Sequence, residues 1–105
     1  MNQVLVTATV LEIKSLRYTP AGVPVTEMIL AHESDVMEAG SQRRVQFSMN
    51  AVALGDTALL MSQIPLGVLL NIEGFLAPAR KGASKLVLHI QQAGQVYSGE
   101  RFVTV

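Results

Sequence analysis

The chain has 105 residues, half of them hydrophobic and 15% charged, with eight basic against eight acidic side chains and no cysteine. That length fits one domain with a real core, and the lack of cysteine excludes a disulfide framework, a thiolate zinc site and a cysteine nucleophile. A net charge of zero counts against a strongly cationic nucleic-acid binder, so any site for a polyanion has to be local.

Residues 4 to 13, VLVTATVLEI, alternate Val4, Val6, Ala8 and Val10 with Leu5, Thr7, Thr9 and Leu11 and read as a long strand. Both sets are partly apolar, so one face is expected in the core and the other against a partner. Arg17 to Pro24, RYTPAGVP, carries Pro20 and Gly22 and reads as an exposed turn. Val25 to His32 forms a second strand, and Ser34 to Gln42 is expected to be a polar loop around Gly40. From Arg43 the alternation returns. Val45, Phe47 and Met49 point one way and Arg44, Gln46, Ser48 and Asn50 the other, which makes a half-buried third strand with a polar face open to a ligand.

Gly55 breaks that run, Asp56 is placed to cap a short helix over Thr57 to Gln63, and Pro65 ends it. Strands four and five occupy 68 to 75 and 85 to 92, and the tail from Gly94 either extends the fifth strand or is flexible. Together these elements predict an all-β fold: a five-stranded OB-fold barrel with at most a short helix between strands three and four, a single domain over residues 1–105. An immunoglobulin-like sandwich wants about seven strands, more than the pattern supplies.

Charge is unevenly spread. Glu27, Glu33, Asp35 and Glu38 make residues 27 to 38 acidic, while Arg43, Arg44, Arg80, Lys81 and Lys85 are basic, and no Asp or Glu lies between Gly74 and Gly99. Such separation predicts a local positive surface with salt-dependent affinity. Arg80, Lys81 and Lys85, on the connection between strands four and five, read equally as a solvated loop or as phosphate contacts. Arg17, Tyr18, Arg43 and Arg44 tilt the balance towards phosphate, with Tyr18 able to stack on an unpaired base. Phe47 and Phe75 read as core residues, and Tyr97 and Phe102 find no place in the pattern.

Catalytic signals are poor. His32 and His89 sit singly in strand patterns and assemble no metal-ligand set. Ser84 and His89 lack an orienting acid and an oxyanion hole. Lys81 to Ser84, KGAS, does not match a phosphate loop, which places glycine before lysine and Ser or Thr directly after it. No cofactor is expected.

The charged fraction is below the roughly 25% usual for soluble domains, which predicts apolar surface buried against a second subunit, most simply in a homodimer. No apolar run approaches the roughly 20 residues that span a bilayer, so no membrane is expected. The N-terminus MNQVLVTATV lacks the positive region of a signal peptide, and the expected compartment is the cytoplasm.

Five pieces in order, TPAGVP (Thr19 to Pro24), LAHES (Leu30 to Ser34), EAGSQR (Glu38 to Arg43), GFLA (Gly74 to Ala77) and SKLVLHI (Ser84 to Ile90), give the chain a resemblance to the primosomal replication protein N (PriB) family over about residues 2 to 93. The resemblance implies a homodimeric OB-fold related to bacterial single-stranded DNA-binding proteins. It also implies a role in replication restart, with single-stranded DNA, the PriA helicase and other primosome proteins (DnaT where present) as partners. Family DNA contacts would fall on Arg17, Arg43, Arg80, Lys81 and Lys85. Where well-known members carry a stacking tryptophan, this chain has Gln46; a basic position is Glu33 and an aromatic one is Ser41. Those three departures predict weaker single-strand binding, with more of the role carried by protein contacts. A protein-interaction adaptor with negligible DNA binding is the competing expectation.

Overall fold

Apolar residues at every second position commit five stretches of the chain to strands, and the computed structural model, which describes residues 1–96, closes them into a barrel. The elements are β1 (Val4–Ile13), β2 (Arg17–Tyr18), β3 (Pro24–Glu38), β4 (Ser41–Leu54), α1 (Asp56–Met61), β5 (Leu69–Pro78) and β6 (Leu86–Gln95). β1 pairs antiparallel with both β3 and β5, β5 pairs with β6, β6 runs parallel to β4, and β4 returns to β3. That cycle leaves the two-residue β2 as a short addition on β3. This is the predicted OB-fold, with the helix between the third and fourth barrel strands.

The inward set of each strand builds one core. Ala8, Val10, Met28, Leu30, Ala51, Ala53, Leu70, Ile72, Leu88 and Ile90 are buried together, and Ala58 and Met61 of α1 plug the end of the barrel. Thr26 is the buried polar residue; its hydroxyl donates to the Ala58 carbonyl oxygen at 2.8 Å, so burial leaves it satisfied and ties β3 to the helix. Gly74 lies where β5 shifts register against β6, and a Cβ there would overlap the carbonyl oxygen of His89. Only glycine lets these two strands approach so closely. The helix differs slightly from expectation: Gly55, not Asp56, is its N-cap, with no side-chain capping bond, and it ends at Met61.

Three expectations need correction. Ser34 to Gln42 is not a loop. β3 and β4 continue through it as a ladder from Ser34↔Val45 to Glu38↔Ser41, joined by a two-residue turn at Ala39 (φ 52°) and Gly40 (φ 83°). Two successive positive φ values match the twist of a hairpin, which is why a two-residue connection suffices. The stretch looks loop-like in one dimension because the hairpin leaves the barrel and its faces are mostly polar, with Val36 and Met37 both exposed. Second, neither Phe47 nor Phe75 is a core residue: Phe47 sits where the hairpin departs, 44% exposed, packed on the His32 ring at 5.0 Å, and Phe75 lies half-buried on the outer face of β5, out of phase with Leu70 and Ile72. Third, the acidic stretch is not separate from Arg43 and Arg44, since antiparallel pairing brings them face to face. The tail beyond residue 96, with Tyr97 and Phe102, lies outside the described residues.

Candidate nucleic-acid interface

Strand alternation sorts the β3–β4 side chains onto two faces. Glu27, Ile29, Ala31, Glu33 and Asp35 of β3 share a face with Val52, Asn50, Ser48, Gln46 and Arg44 of β4 through the pairs Glu27↔Val52, Ile29↔Asn50, Glu33↔Gln46 and Asp35↔Arg44. β6 extends this face with His89, which is level with Val52, and with Val87. A groove of about 480 Å³ runs across it, floored by Ile29, Asn50, Val52, Val87 and His89 and rimmed by Lys14, Arg17 and Lys85. It continues past Asn50 and Lys85 into a shallower hollow that reaches Ser48 and Leu86. The groove thus has a floor part apolar and part polar and a rim on which Lys14, Arg17 and Lys85 outnumber Glu27; single-strand binding uses such a positive groove together with aromatic stacking surfaces.

A larger hollow of about 790 Å³ lies over β1, β5 and the end of β6, between Leu5, Thr7, His32, Asn71 and Gln92. Its charged group is Glu73, which accepts a hydrogen bond from Gln3 at 3.0 Å. Despite its size, this hollow is lined by no Lys or Arg among the described residues to hold a phosphate chain. Its His32 is a structural residue: one ring nitrogen meets the Thr7 carbonyl oxygen at 2.6 Å and the other the Ser34 hydroxyl at 2.8 Å, pinning β3 to β1.

The eight residues expected at the site fall into distinct electrostatic classes. Arg17 donates through Nε and Nη2 to one carboxylate oxygen of Glu27, at 3.2 and 2.8 Å, with Lys14 at 3.9 Å from the other oxygen. The Arg17 hydrogen bond, chiefly, and then the charges of Arg17 and Lys14 hold the Glu27 carboxyl below the usual glutamate range, against burial, whose opposing effect exceeds that of either charge alone. Tyr18 is exposed beside Arg17. Arg43 donates to Glu38 at 2.7 Å on the opposite face of the hairpin, and Arg44 donates to Glu33 and, at 3.3 Å, to Asp35 on the groove face. Gln46 is exposed across from Glu33.

Arg80, Lys81 and Lys85 are different. Ala79 N–H donates to the Lys85 carbonyl oxygen and Ala83 N–H to that of Arg80, which folds the connection into a tight turn with all three cations exposed. Among the described residues none of the three makes an ion pair. The structure therefore places Arg17, Lys85, Arg44 and Gln46 along one face, sets Arg43 on the other, and leaves the Arg80–Lys85 turn as the uncompensated positive charge at its edge.

Sequence reasoning passed over three residues here. Asn50 was in phase with Arg44, Gln46 and Ser48, so its place on the polar face was readable, but its position over the groove depends on β6. His89 stacks on Phe75, centroids 4.8 Å apart and 12° from parallel; their cross-strand register on β5 and β6 was not readable. Glu27 was seen as acidic, and its pairing with Arg17 follows from β2 lying on β3.

The architecture agrees with comparisons to known proteins. Residues 2–92 match a family model described as another single-strand binding protein family. A Bordetella pertussis protein named replication restart protein PriB is 52% identical over 96 residues, covering 91% of this chain and 90% of that one. A Nitrosomonas europaea protein of the same name is 40% identical over 90 residues, 86% of this chain and 83% of the relative. Among solved structures, PriB from Ralstonia solanacearum superposes with a TM-score of 0.84 at 37% identity over 92% of this chain and 99% of that one. The single-stranded DNA binding protein of Thermus aquaticus shares the fold, with a TM-score of 0.74 at 24% identity over 94% of this chain and 52% of that one.

Proposed function

From the premise that this chain belongs to the PriB family of replication restart proteins, we propose that it acts in bacterial replication restart by holding single-stranded DNA on the β3–β4–β6 face. On this reading it is a cytoplasmic homodimer that also engages the PriA helicase and, where present, DnaT. It is a binding protein and not an enzyme. The observation that carries the proposal is the groove: a floor of Ile29, Val52 and Val87 set with Asn50 and His89, with Lys14, Arg17 and Lys85 on its rim and the turn that carries Arg80 and Lys81 at its edge. In OB-folds this face and the loops flanking it form the usual oligonucleotide site. Phosphates would meet Arg17, Lys85, Arg80 and Lys81, with Tyr18 exposed beside them for stacking. Arg44, once Glu33 and Asp35 yield it, and Gln46 would contribute along the groove face of the hairpin, and Arg43 only to a strand that wraps over the hairpin onto its other face. Exposed Leu5 (73%) and Leu11 on β1 supply apolar surface for the second subunit.

A second reading, a protein-interaction adaptor with negligible DNA binding, is favoured by one specific observation: Arg17, Arg43 and Arg44 are already neutralised by acids. Fluorescence anisotropy with a labelled oligonucleotide across a salt series separates the two. Modest binding that weakens steeply as salt rises supports the DNA reading. No binding at low salt alongside retained helicase contact supports the adaptor, and tight, salt-insensitive binding contradicts both.

A further inference from the structure

Asn50 and His89 come from strands that meet only through a short parallel pairing, Ala51↔Leu88 and Val52↔His89. Both are half-buried in the floor of the same groove. Neither side chain makes a hydrogen bond among the described residues, while the other polar group on the floor, Glu27, is engaged by Arg17. Asn50 also lines the adjoining hollow with Lys85, so its amide stands at the junction between floor and basic rim. Their neighbours Ile29, Val52 and Val87 offer no hydrogen bonds, and the flat His89 ring is fixed in orientation by Phe75. A hollow of mixed apolar and polar lining in which two convergent polar groups are unengaged has the form of a small planar-ligand site.

We propose that this hollow seats one unpaired nucleobase of the bound strand, with the Asn50 amide and the His89 ring nitrogens hydrogen-bonding its edge. The inference rests on the single-strand binding proposed above and adds a contact to bases, where Arg80, Lys81 and Lys85 contact phosphates. An amide presents a donor and an acceptor side by side, which matches the donor–acceptor edges of bases. Phosphate offers acceptors only, and the cations around the hollow already serve it. Charge complementarity makes the occupant part of a polyanion: Lys85 is unpaired among the described residues at the hollow's rim, and Lys14 and Arg17 outnumber the single Glu27 carboxylate they share.

The test compares Asn50→Ala, Asn50→Asp and His89→Phe with the native protein, by anisotropy, on an oligonucleotide and on the same strand with abasic sugars. His89→Phe keeps an aromatic ring, one atom larger, to stack on Phe75 and removes the ring nitrogens. Each variant is expected to lose about five- to tenfold in affinity for the base-bearing strand. The abasic strand should bind the native protein and the two neutral variants, Asn50→Ala and His89→Phe, equally, and their salt slopes should match because no phosphate contact is removed. Equal losses on both strands, or no loss with Asn50→Ala and His89→Phe, would overturn the assignment. If the native protein binds neither strand, the DNA reading itself falls and this inference with it. Native binding with unaffected variants sinks the base site alone.

Discussion

Two hairpins carry most of the cations of this molecule, and they handle charge in opposite ways. The β3–β4 hairpin holds Arg43 and Arg44 and answers each with carboxylates across the ladder: Glu38 for Arg43, Glu33 and Asp35 for Arg44. The β5–β6 hairpin holds Arg80, Lys81 and Lys85 and answers none of them among the described residues. The counts of basic residues are similar, yet only the second hairpin presents a net positive field. A cation already paired must exchange its carboxylate for a phosphate, so its gain from DNA is the difference between two similar contacts. A free cation exchanges only water and counterions, and the release of those counterions drives polyanion binding.

Removing the free charge gives the largest expected effect. Arg80→Ala/Lys81→Ala/Lys85→Ala is expected to weaken oligonucleotide binding at low salt by on the order of a hundredfold, with an unchanged thermal midpoint showing that the barrel is intact. Adding a stacking surface comes next. Gln46→Trp restores on the groove face what the resemblance leads one to expect there, and anisotropy should show about tenfold tighter binding, since one base on one aromatic is worth about 1–3 kcal/mol. Releasing a paired cation is a smaller change: Glu33→Gln/Asp35→Asn frees Arg44 and should tighten binding by about threefold, steepening the salt slope by about 0.7.

The smallest effect concerns Arg17, which behaves like the paired class. Because the Glu27 carboxyl is lowered in the folded protein, its contribution to stability is fully present above the ordinary glutamate value of about 4.3 and is lost as pH falls through the lower folded value. Urea midpoints measured near neutrality and below pH of about 4 should fall slightly more for the native protein than for Glu27→Gln. The pair is partly exposed, so solvent screening keeps the difference small.

The contrast between the hairpins also explains what could be read in the sequence. β1 was legible to the residue because Val4, Val6, Ala8 and Val10 alternate against a core. The free cations of the β5–β6 turn were legible because no acid lies near them in sequence. The β3–β4 extension was not. Its order comes from the ladder and from charges of opposite sign on two strands, which one dimension shows as a polar stretch followed by a basic one. Phe47 was misplaced for the same cause: its alternation with Val45 and Met49 is real, but the barrel has ended where the strand still runs on. Asn50 and His89 meet through a parallel pairing between residues far apart in the chain, and no local pattern could announce it.

Charge compensation, more than the number of cations, is what this account holds to decide which hairpin grips DNA. The direct measurement is the salt dependence of oligonucleotide affinity for two variants side by side, Arg80→Ala/Lys81→Ala/Lys85→Ala and Arg43→Ala/Arg44→Ala. The slope of log affinity against log salt should fall by about 2 for the first and by less than about 0.5 for the second. Equal losses of slope, or a larger loss in the β3–β4 variant, would contradict it.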